Sequence, residues 1–119
     1  MKTGCYFTFR GPGRIGITAY PPKNPTFSRD VPMVKALAPR RDMLKLPYDT
    51  YRQIFFGEIL GTLDAAEIKT RLEQLVAPHE PVLLCYERPP FTPDNWCHRR
   101  MVAEWFQDQL GIDVPEIAV

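Results

Sequence analysis

The sequence predicts an α/β domain with a small, mainly parallel sheet flanked by helices. Short apolar segments alternate with amphipathic helical segments, an order typical of βα units with parallel strands. The run at 82–86 is continuously apolar and lies between proline-containing segments, as expected for a strand covered on both faces. A length of 119 residues and a hydrophobic fraction of 45% fit one domain over 1–119.

Three strands are expected, at residues 15–20, 82–86 and 113–117. The first runs into a proline pair that stops it, and residues 5–9 form either a short strand or an extended arm. Helices separate the expected strands, so the connections are expected to be right-handed crossovers. This order predicts a three-layer, Rossmann-like domain in which the strands share one sheet.

The first helix is predicted from apolar residues at three- and four-residue steps, Tyr48, Tyr51, Phe55 and Ile59, which share one face. Gly61 follows and is a natural terminator, because glycine adopts the left-handed conformation at helix ends without a steric penalty. The pattern therefore predicts one apolar helix that ends near Gly61.

Two further helices are predicted from their capping residues. Asp64 begins the second, and Glu67 three residues later completes a capping-box pattern. The third runs from about Trp96 to Leu110, with Asp94 or Asn95 as its cap. The helix faces and the central strand predict four side chains to be buried: Leu72, Leu84, Val102 and Trp105.

Composition narrows the class of protein. The formal charge is +1, from 15 basic and 14 acidic residues, which disfavours a nucleic-acid partner. Only a local basic patch could bind one. No apolar run is long enough to cross a bilayer, and no apolar signal region follows Met1, so we expect a soluble, cytoplasmic protein without a membrane partner. The odd count of 3 cysteines favours free thiols in a reducing compartment. The sequence does not set the oligomeric state.

Several segments together resemble the domain-of-unknown-function 488 family. They are Leu37-Ala38-Pro39, residues 51–55, Val82-Leu83-Leu84-Cys85-Tyr86-Glu87, Cys97-His98-Arg99 and Val102-Ala103-Glu104-Trp105. The similarity covers nearly the whole chain, and its most specific part is the cysteine and glutamate after a strand followed by Cys-His-Arg at a helix start. The resemblance implies a small bacterial or phage α/β protein with a site at these two segments and no established activity.

Polar and reactive side chains are expected where strands end and a helix begins. Ligands of open α/β sheets bind outside the carboxyl ends of the strands, here at Tyr20 and at Cys85-Tyr86-Glu87. A helix N-terminus carrying Cys97-His98-Arg99-Arg100 attracts anions and lowers the pKa of a cysteine thiol. The candidate catalytic residues are Cys97, His98 and Glu87, and the candidate binding residues are Arg99, Arg100, Cys85 and Tyr20.

Two functions fit these residues. One is a small enzyme or binding domain for an anionic small molecule, phosphorylated or nucleotide-like, and the sequence does not decide between catalysis and binding. The other is a non-catalytic interaction or regulatory protein in which Cys-His-Arg is structural. In the second case an aromatic set forms the partner surface: Tyr6, Phe7, Phe9, Tyr20 and Phe27.

Three residues near the candidate site are possible ligands of a zinc ion. Cys85, Cys97 and His98 are residue types that bind zinc. Adjacent residues of a helix point in different directions, however, so Cys97 and His98 are not expected to share one ion. The sequence therefore predicts neither a metal nor another cofactor.

Overall fold

The sheet consists of three short parallel strands with the most apolar strand in the middle. The structure is a computed structural model that describes residues 1–23, 30–92 and 94–117. The strands are β1 (Lys2–Cys5), β2 (Arg14–Gly16) and β3 (Val82–Cys85), in the order β1-β3-β2. All residues of β3 are buried, and β3 pairs in parallel with both neighbours. The predicted α/β fold with a small parallel sheet is confirmed.

The chain after β1 turns instead of continuing as a strand. The amides of Thr8 and Phe9 both donate to the carbonyl of Cys5, at 3.2 and 3.1 Å. The prediction of a strand or extended arm at 5–9 was therefore wrong beyond Cys5, because Cys5 is the last residue of β1. β1 has little apolar character of its own, so pairing with β3 is what makes it a strand.

β2 is shorter than the predicted segment 15–20. The amide of Ile17 still donates to the carbonyl of Leu84 at 3.1 Å. The hydroxyl of Thr18 then donates to the carbonyl of Tyr20 at 2.6 Å, and this local side-chain bond replaces further pairing in the sheet. The bend places residues 18–20 at the edge where the strands end.

The predicted third strand, 113–117, touches the sheet at a single point. Thr3 and Glu116 form a parallel bridge, in which the amide of Thr3 donates to Pro115 at 3.0 Å and that of Ile117 donates to Thr3 at 2.8 Å. Pro115 has no N–H with which to continue this ladder toward Met1. The segment therefore lies beside β1 without forming a full strand.

Among the residues that the structure describes, three α-helices accompany the sheet: α1 (Tyr48–Ile54), α2 (Ala65–Val76) and α3 (His98–Leu110). α1 continues through a π-helical turn, Phe55–Ile59, and a 3-10 turn, Leu60–Thr62. The predicted cap of α2 is confirmed, because the Asp64 side chain accepts from the amide of Glu67 at 3.1 Å. Gly111 ends α3 at a φ of 67°, a left-handed conformation that favours glycine.

α3 begins later than predicted, with Cys97 as its N-cap and neither Asp94 nor Asn95 in that position. The Asn95 side chain instead donates to the carbonyls of Arg88, at 2.7 Å, and Pro90, at 2.8 Å. These bonds fold the proline-rich loop between β3 and α3 back on itself. The loop therefore returns the start of α3 to the end of β3.

The two faces of β3 contribute to two apolar clusters, as expected when side chains alternate along a strand. Leu83 joins the larger cluster, which includes residues of α2 and α3, and Leu84 joins a smaller one with Tyr6. The predicted burial is confirmed for all four residues: Leu72, Leu84 and Val102 at 0% exposure and Trp105 at 5%. No helix within the described residues has the length and apolar character to cross a bilayer.

Candidate functional site

The ends of β3 and the start of α3 meet at two cysteines. Cys85 and Cys97 are joined as a disulfide, with their Cα atoms 7.2 Å apart, whereas Cys5 is free and buried. The expectation of three free thiols is therefore wrong for this pair. Cys97 follows Cys85 by 12 positions, and the folded loop between them brings their sulfurs together.

His98 is buried beside the pair, with 6% of its surface exposed. Its Nε2 lies 2.6 Å from the carbonyl oxygen of Ile17, and its Nδ1 lies 3.9 Å from the sulfur of Cys97. Burial lowers the pKa of His98 to about 4, although the bond to Ile17 opposes this shift. The imidazole is therefore neutral near pH 7, with Nε2–H donating to Ile17 and a lone pair on Nδ1.

Cys97 and His98 converge instead of pointing apart. Cys97 has extended backbone, with φ −141° and ψ 140°, because it precedes the first helical residue. The expectation that Cys97 and His98 point in different directions was therefore wrong. The donor atoms of Cys85, Cys97 and His98 all lie within 4.8 Å of one another, and all three residues are buried.

Arg99 is fully buried and bonded within the protein. Its Nε and Nη2 donate to the two carboxylate oxygens of Glu116, at 2.9 and 2.8 Å, and its Nη1 donates to the sulfur of Cys85 at 3.2 Å. The guanidinium also lies 4.8 Å from the ring centre of Phe91. An external anion would have to displace Glu116 to reach this guanidinium.

Glu116 was not among the residues singled out from the sequence. It also accepts from the hydroxyl of Thr3 at 2.7 Å, and Arg100 donates to the same hydroxyl at 2.8 Å and to the carbonyl of Val114 at 2.7 Å. Burial alone raises the pKa of Glu116, but the hydrogen bonds from Arg99 and Thr3 outweigh it and hold this pKa below its ordinary value. The sequence held one indication of this role, because Glu116 is an acidic residue within the predicted strand 113–117.

A cavity of about 290 Å³ opens where β2 and β3 end. Four candidate residues line it: Tyr20, Glu87, Cys97 and His98. The other lining residues are Thr18, Ala19, Pro39, Leu44, Tyr51, Tyr86, Asp94, Asn95 and Trp96. Cys85 and Arg99 are not among the described residues that line it, and Arg100 lines a neighbouring cavity of about 340 Å³ that also reaches Cys97. Tyr51, Trp96 and Asn95 also line the cavity and were not expected from the sequence as ligand contacts.

Glu87 is a carboxyl that lines this cavity and is placed for proton transfer. Burial raises the pKa of Glu87, opposed by a backbone hydrogen bond and by the positive charge of Arg99. A raised pKa brings a carboxyl closer to the range in which it exchanges protons near neutral pH. Glu87 can therefore act as an acid or a base on a ligand bound beside His98.

The aromatic residues considered as a partner surface do not form one continuous patch. Tyr6 is completely buried in the smaller apolar cluster, and Phe7 and Phe9 pack against that cluster. Tyr20 is 62% exposed at the cavity rim, and Phe27 lies outside the described residues. The expectation of a surface role was therefore wrong for Tyr6.

The fold and the site together define a class: an α/β domain with a small parallel sheet and a ligand-sized cavity at the carboxyl ends of its strands. No protein-family model, no curated protein and no solved structure matches the chain. The side chains of this cavity are therefore the guide to its function.

Proposed function

We propose that the protein is a small enzyme or binding domain for an anionic small molecule, phosphorylated or nucleotide-like, held in the cavity beside Glu87 and His98. One observation carries the proposal. Glu87 of the Cys-x-Glu strand end, and Cys97 and His98 of the Cys-His-Arg helix start, line the same cavity. Cavities at the carboxyl ends of parallel strands are where α/β folds commonly bind ligands.

The anionic group would contact the first turn of α3, not the guanidinium of Arg99. The first amides of a helix have no partner within the helix, and the helix dipole favours negative charge there. α3 is 13 residues long, and Trp96, Cys97 and His98 at its start line the cavity. The rings of Tyr20 and Trp96 are suited to contact the planar or apolar part of a nucleotide-like ligand.

A thermal-shift screen of the purified protein against inorganic phosphate, nucleotides and other phosphorylated metabolites tests the proposal. We expect a ligand that raises Tm in proportion to the logarithm of its concentration. Ala19→Trp, which places a large ring at the cavity wall, should abolish this shift, and Asp108→Asn on the exposed side of α3 should preserve it. An anionic ligand that stabilises the Ala19→Trp protein equally would place binding elsewhere, and a panel without any shift would refute the proposal.

The interaction or regulatory protein is the second candidate, favoured by the internal bonds of the Cys-His-Arg segment. His98 bonds Ile17, and Arg99 bonds Glu116 and Cys85, so both side chains brace α3 against the sheet and the C-terminal segment. In that case Arg99→Lys should lower Tm, and Glu87→Gln should leave the affinity of any small ligand unchanged. A ligand whose affinity falls with Glu87→Gln, at unchanged Tm, would favour the first candidate.

We also propose membership of the domain-of-unknown-function 488 family and a Rossmann-like, three-layer relationship for the fold. The support is the sequence pattern together with a parallel sheet whose carboxyl edge carries the motif residues. Among the described residues, the helices contribute to the cluster on the Leu83 side of β3, and the Leu84 side is covered by Tyr6, Phe7, Phe9 and Ile117. A crystal structure with a second helical layer on the Leu84 side would support the three-layer arrangement.

A further inference from the structure

The buried cluster of Cys85, Cys97 and His98 has the donor atoms of a metal site. Its three donor atoms lie within 4.8 Å of one another, and the Nδ1 of His98 is 3.9 Å from the sulfur of Cys97. Donor atoms around tetrahedral Zn²⁺ are roughly 3.5–3.8 Å apart, from bond lengths of about 2.3 Å to sulfur and 2.0–2.1 Å to nitrogen. Once the disulfide is reduced, the two sulfurs must separate to about 3.8 Å, and rotation of the side chains then brings all three donors to one ion.

The backbone spacing of the two cysteines suits an ion between them. Their Cα atoms are 7.2 Å apart. Most disulfides have Cα atoms roughly 4.4–6.8 Å apart, so the backbone holds Cys85 and Cys97 wider than a disulfide requires. Once the sulfurs are reduced, this spacing leaves room for them to separate and to bind a common ion.

The surroundings already orient the ligands in the way metal sites require. Metal-binding histidines usually donate their second ring N–H to a carbonyl or carboxylate, which directs the other nitrogen to the metal. The Nε2 of His98 has such a partner in the carbonyl of Ile17, at 2.6 Å, which leaves Nδ1 facing Cys97. Arg99 donates to the sulfur of Cys85 at 3.2 Å, as expected for a hydrogen bond that stabilises a bound thiolate.

The buried cluster would carry no net charge with a Zn²⁺ ion bound. Two thiolates neutralise one Zn²⁺ ion, and the positive charge of Arg99 is neutralised by Glu116, which it contacts at 2.9 and 2.8 Å. A site with two sulfurs and one imidazole suits zinc better than Mg²⁺ or Ca²⁺, which prefer oxygen ligands.

We propose that the reduced protein binds one Zn²⁺ ion through the sulfurs of Cys85 and Cys97 and the Nδ1 of His98. The fourth position is open to the cavity that Cys97 and His98 line, so water or a ligand oxygen completes the coordination. The site does not depend on the proposed anionic ligand, because its three ligands belong to the protein.

Metal binding and the disulfide are alternative states of the same two sulfurs. Reduction by two equivalents of an external thiol forms two cysteine thiols and one external disulfide. Zn²⁺ then replaces the two thiol protons, which are released to solvent. Oxidation of the sulfurs, by a disulfide as oxidant, reverses the sequence and releases the ion.

Anaerobic titration of the fully reduced, metal-free protein with Co²⁺ and then Zn²⁺ tests the site without any other ligand. We expect one ion per chain, a thiolate-to-cobalt charge-transfer band, tetrahedral visible bands, and displacement of Co²⁺ by Zn²⁺. Cys85→Ser and Cys97→Ser should each weaken Zn²⁺ affinity by more than about 100-fold, the upper end of effects from outer-shell partners. Cys5→Ser is the matched control and should retain wild-type affinity. A cobalt spectrum without the charge-transfer band, or wild-type affinity in either cluster variant, would overturn the proposal.

A second measurement uses the wild-type protein, so its result does not depend on whether the cysteine variants fold. Zn²⁺ should slow alkylation of Cys85 and Cys97 by at least about tenfold while the rate at Cys5 stays the same, as read by mass spectrometry of each cysteine. Equal rates with and without Zn²⁺, or equal protection of Cys5, would refute the site. A positive result here alongside a failed ligand screen would leave the zinc site and remove the anion proposal.

Discussion

The ion pair between Arg99 and Glu116 offers the sharpest test of the forces that hold the site together. Arg99 is completely buried, and the Glu116 side chain is 19% exposed. Glu116→Gln preserves the size of the side chain but removes its charge and places an amide donor against a guanidinium donor. The variant therefore leaves the buried guanidinium with one oxygen acceptor where it had two, beside the sulfur of Cys85.

We expect this substitution to lower the free energy of unfolding by about 3 kcal/mol. Hydrogen bonds to charged groups contribute about 1.5–3 kcal/mol each, and breaking a buried ion pair by removing one partner costs about 3–5 kcal/mol. The residual exposure of Glu116 and the one bond that glutamine retains place the estimate at the low end of that range. A domain of this size has a total stability of roughly 6–18 kcal/mol, so the loss is a large fraction.

Urea denaturation provides the measurement, and the chain offers a matched control. Arg52 and Glu104 form the same two-bond geometry, at 2.7 and 2.6 Å, but their side chains are 37% and 42% exposed. Glu104→Gln should therefore cost at most about 1 kcal/mol. At an m value of about 2 kcal/mol/M, Glu116→Gln should shift the midpoint by about 1.5 M. Equal shifts for the two variants would refute the claim that burial gives the Arg99 pair its importance.

The same pair predicts how stability depends on pH. The pKa of Glu116 in the folded protein lies below its ordinary value of 4.5. A carboxyl with a lowered folded pKa contributes its full stabilisation above the unfolded pKa and loses it as the pH falls through the folded pKa. The difference between wild type and Glu116→Gln should stay constant from pH 7 to about 5.5 and shrink below about 4.5. A difference that grows on acidification would contradict this sign.

Three further predictions follow from burial, capping and thiol chemistry. Leu84→Ala should lower the free energy of unfolding by about 2–5 kcal/mol in urea melts, and a loss below about 1 kcal/mol would place the strand at the periphery. Asp64→Ala should cost about 1 kcal/mol because it removes the cap of α2, and an unchanged midpoint would show that the cap bond is not needed. In the reduced, metal-free protein, Cys97 should be alkylated at neutral pH faster than Cys5 or Cys85, and equal rates would remove its candidacy as a nucleophile.

Local sequence determined the parts of this fold that depend on neighbouring residues. The bond from Glu67 to the Asp64 side chain and the left-handed Gly111 both follow from residues within one helical turn of each other. The all-apolar run of β3 likewise identified the central strand, because only a strand covered on both faces tolerates it. These features could be predicted from the sequence without information on contacts between residues that are far apart in the chain.

The tertiary structure alone decided how the candidate site is arranged. β1 is a strand because it pairs with β3, and its own residues give no apolar alternation that would predict it. Arg99 pairs with Glu116, although Glu87 is nearer to it in sequence, because the C-terminal segment lies beside β1. The convergence of Cys97 and His98 depends on one extended residue before α3, whose conformation is set by the folded loop and by contacts far along the chain. Such arrangements arise from long-range packing, in which many weak contacts compete, so adjacent residues in a sequence do not specify them.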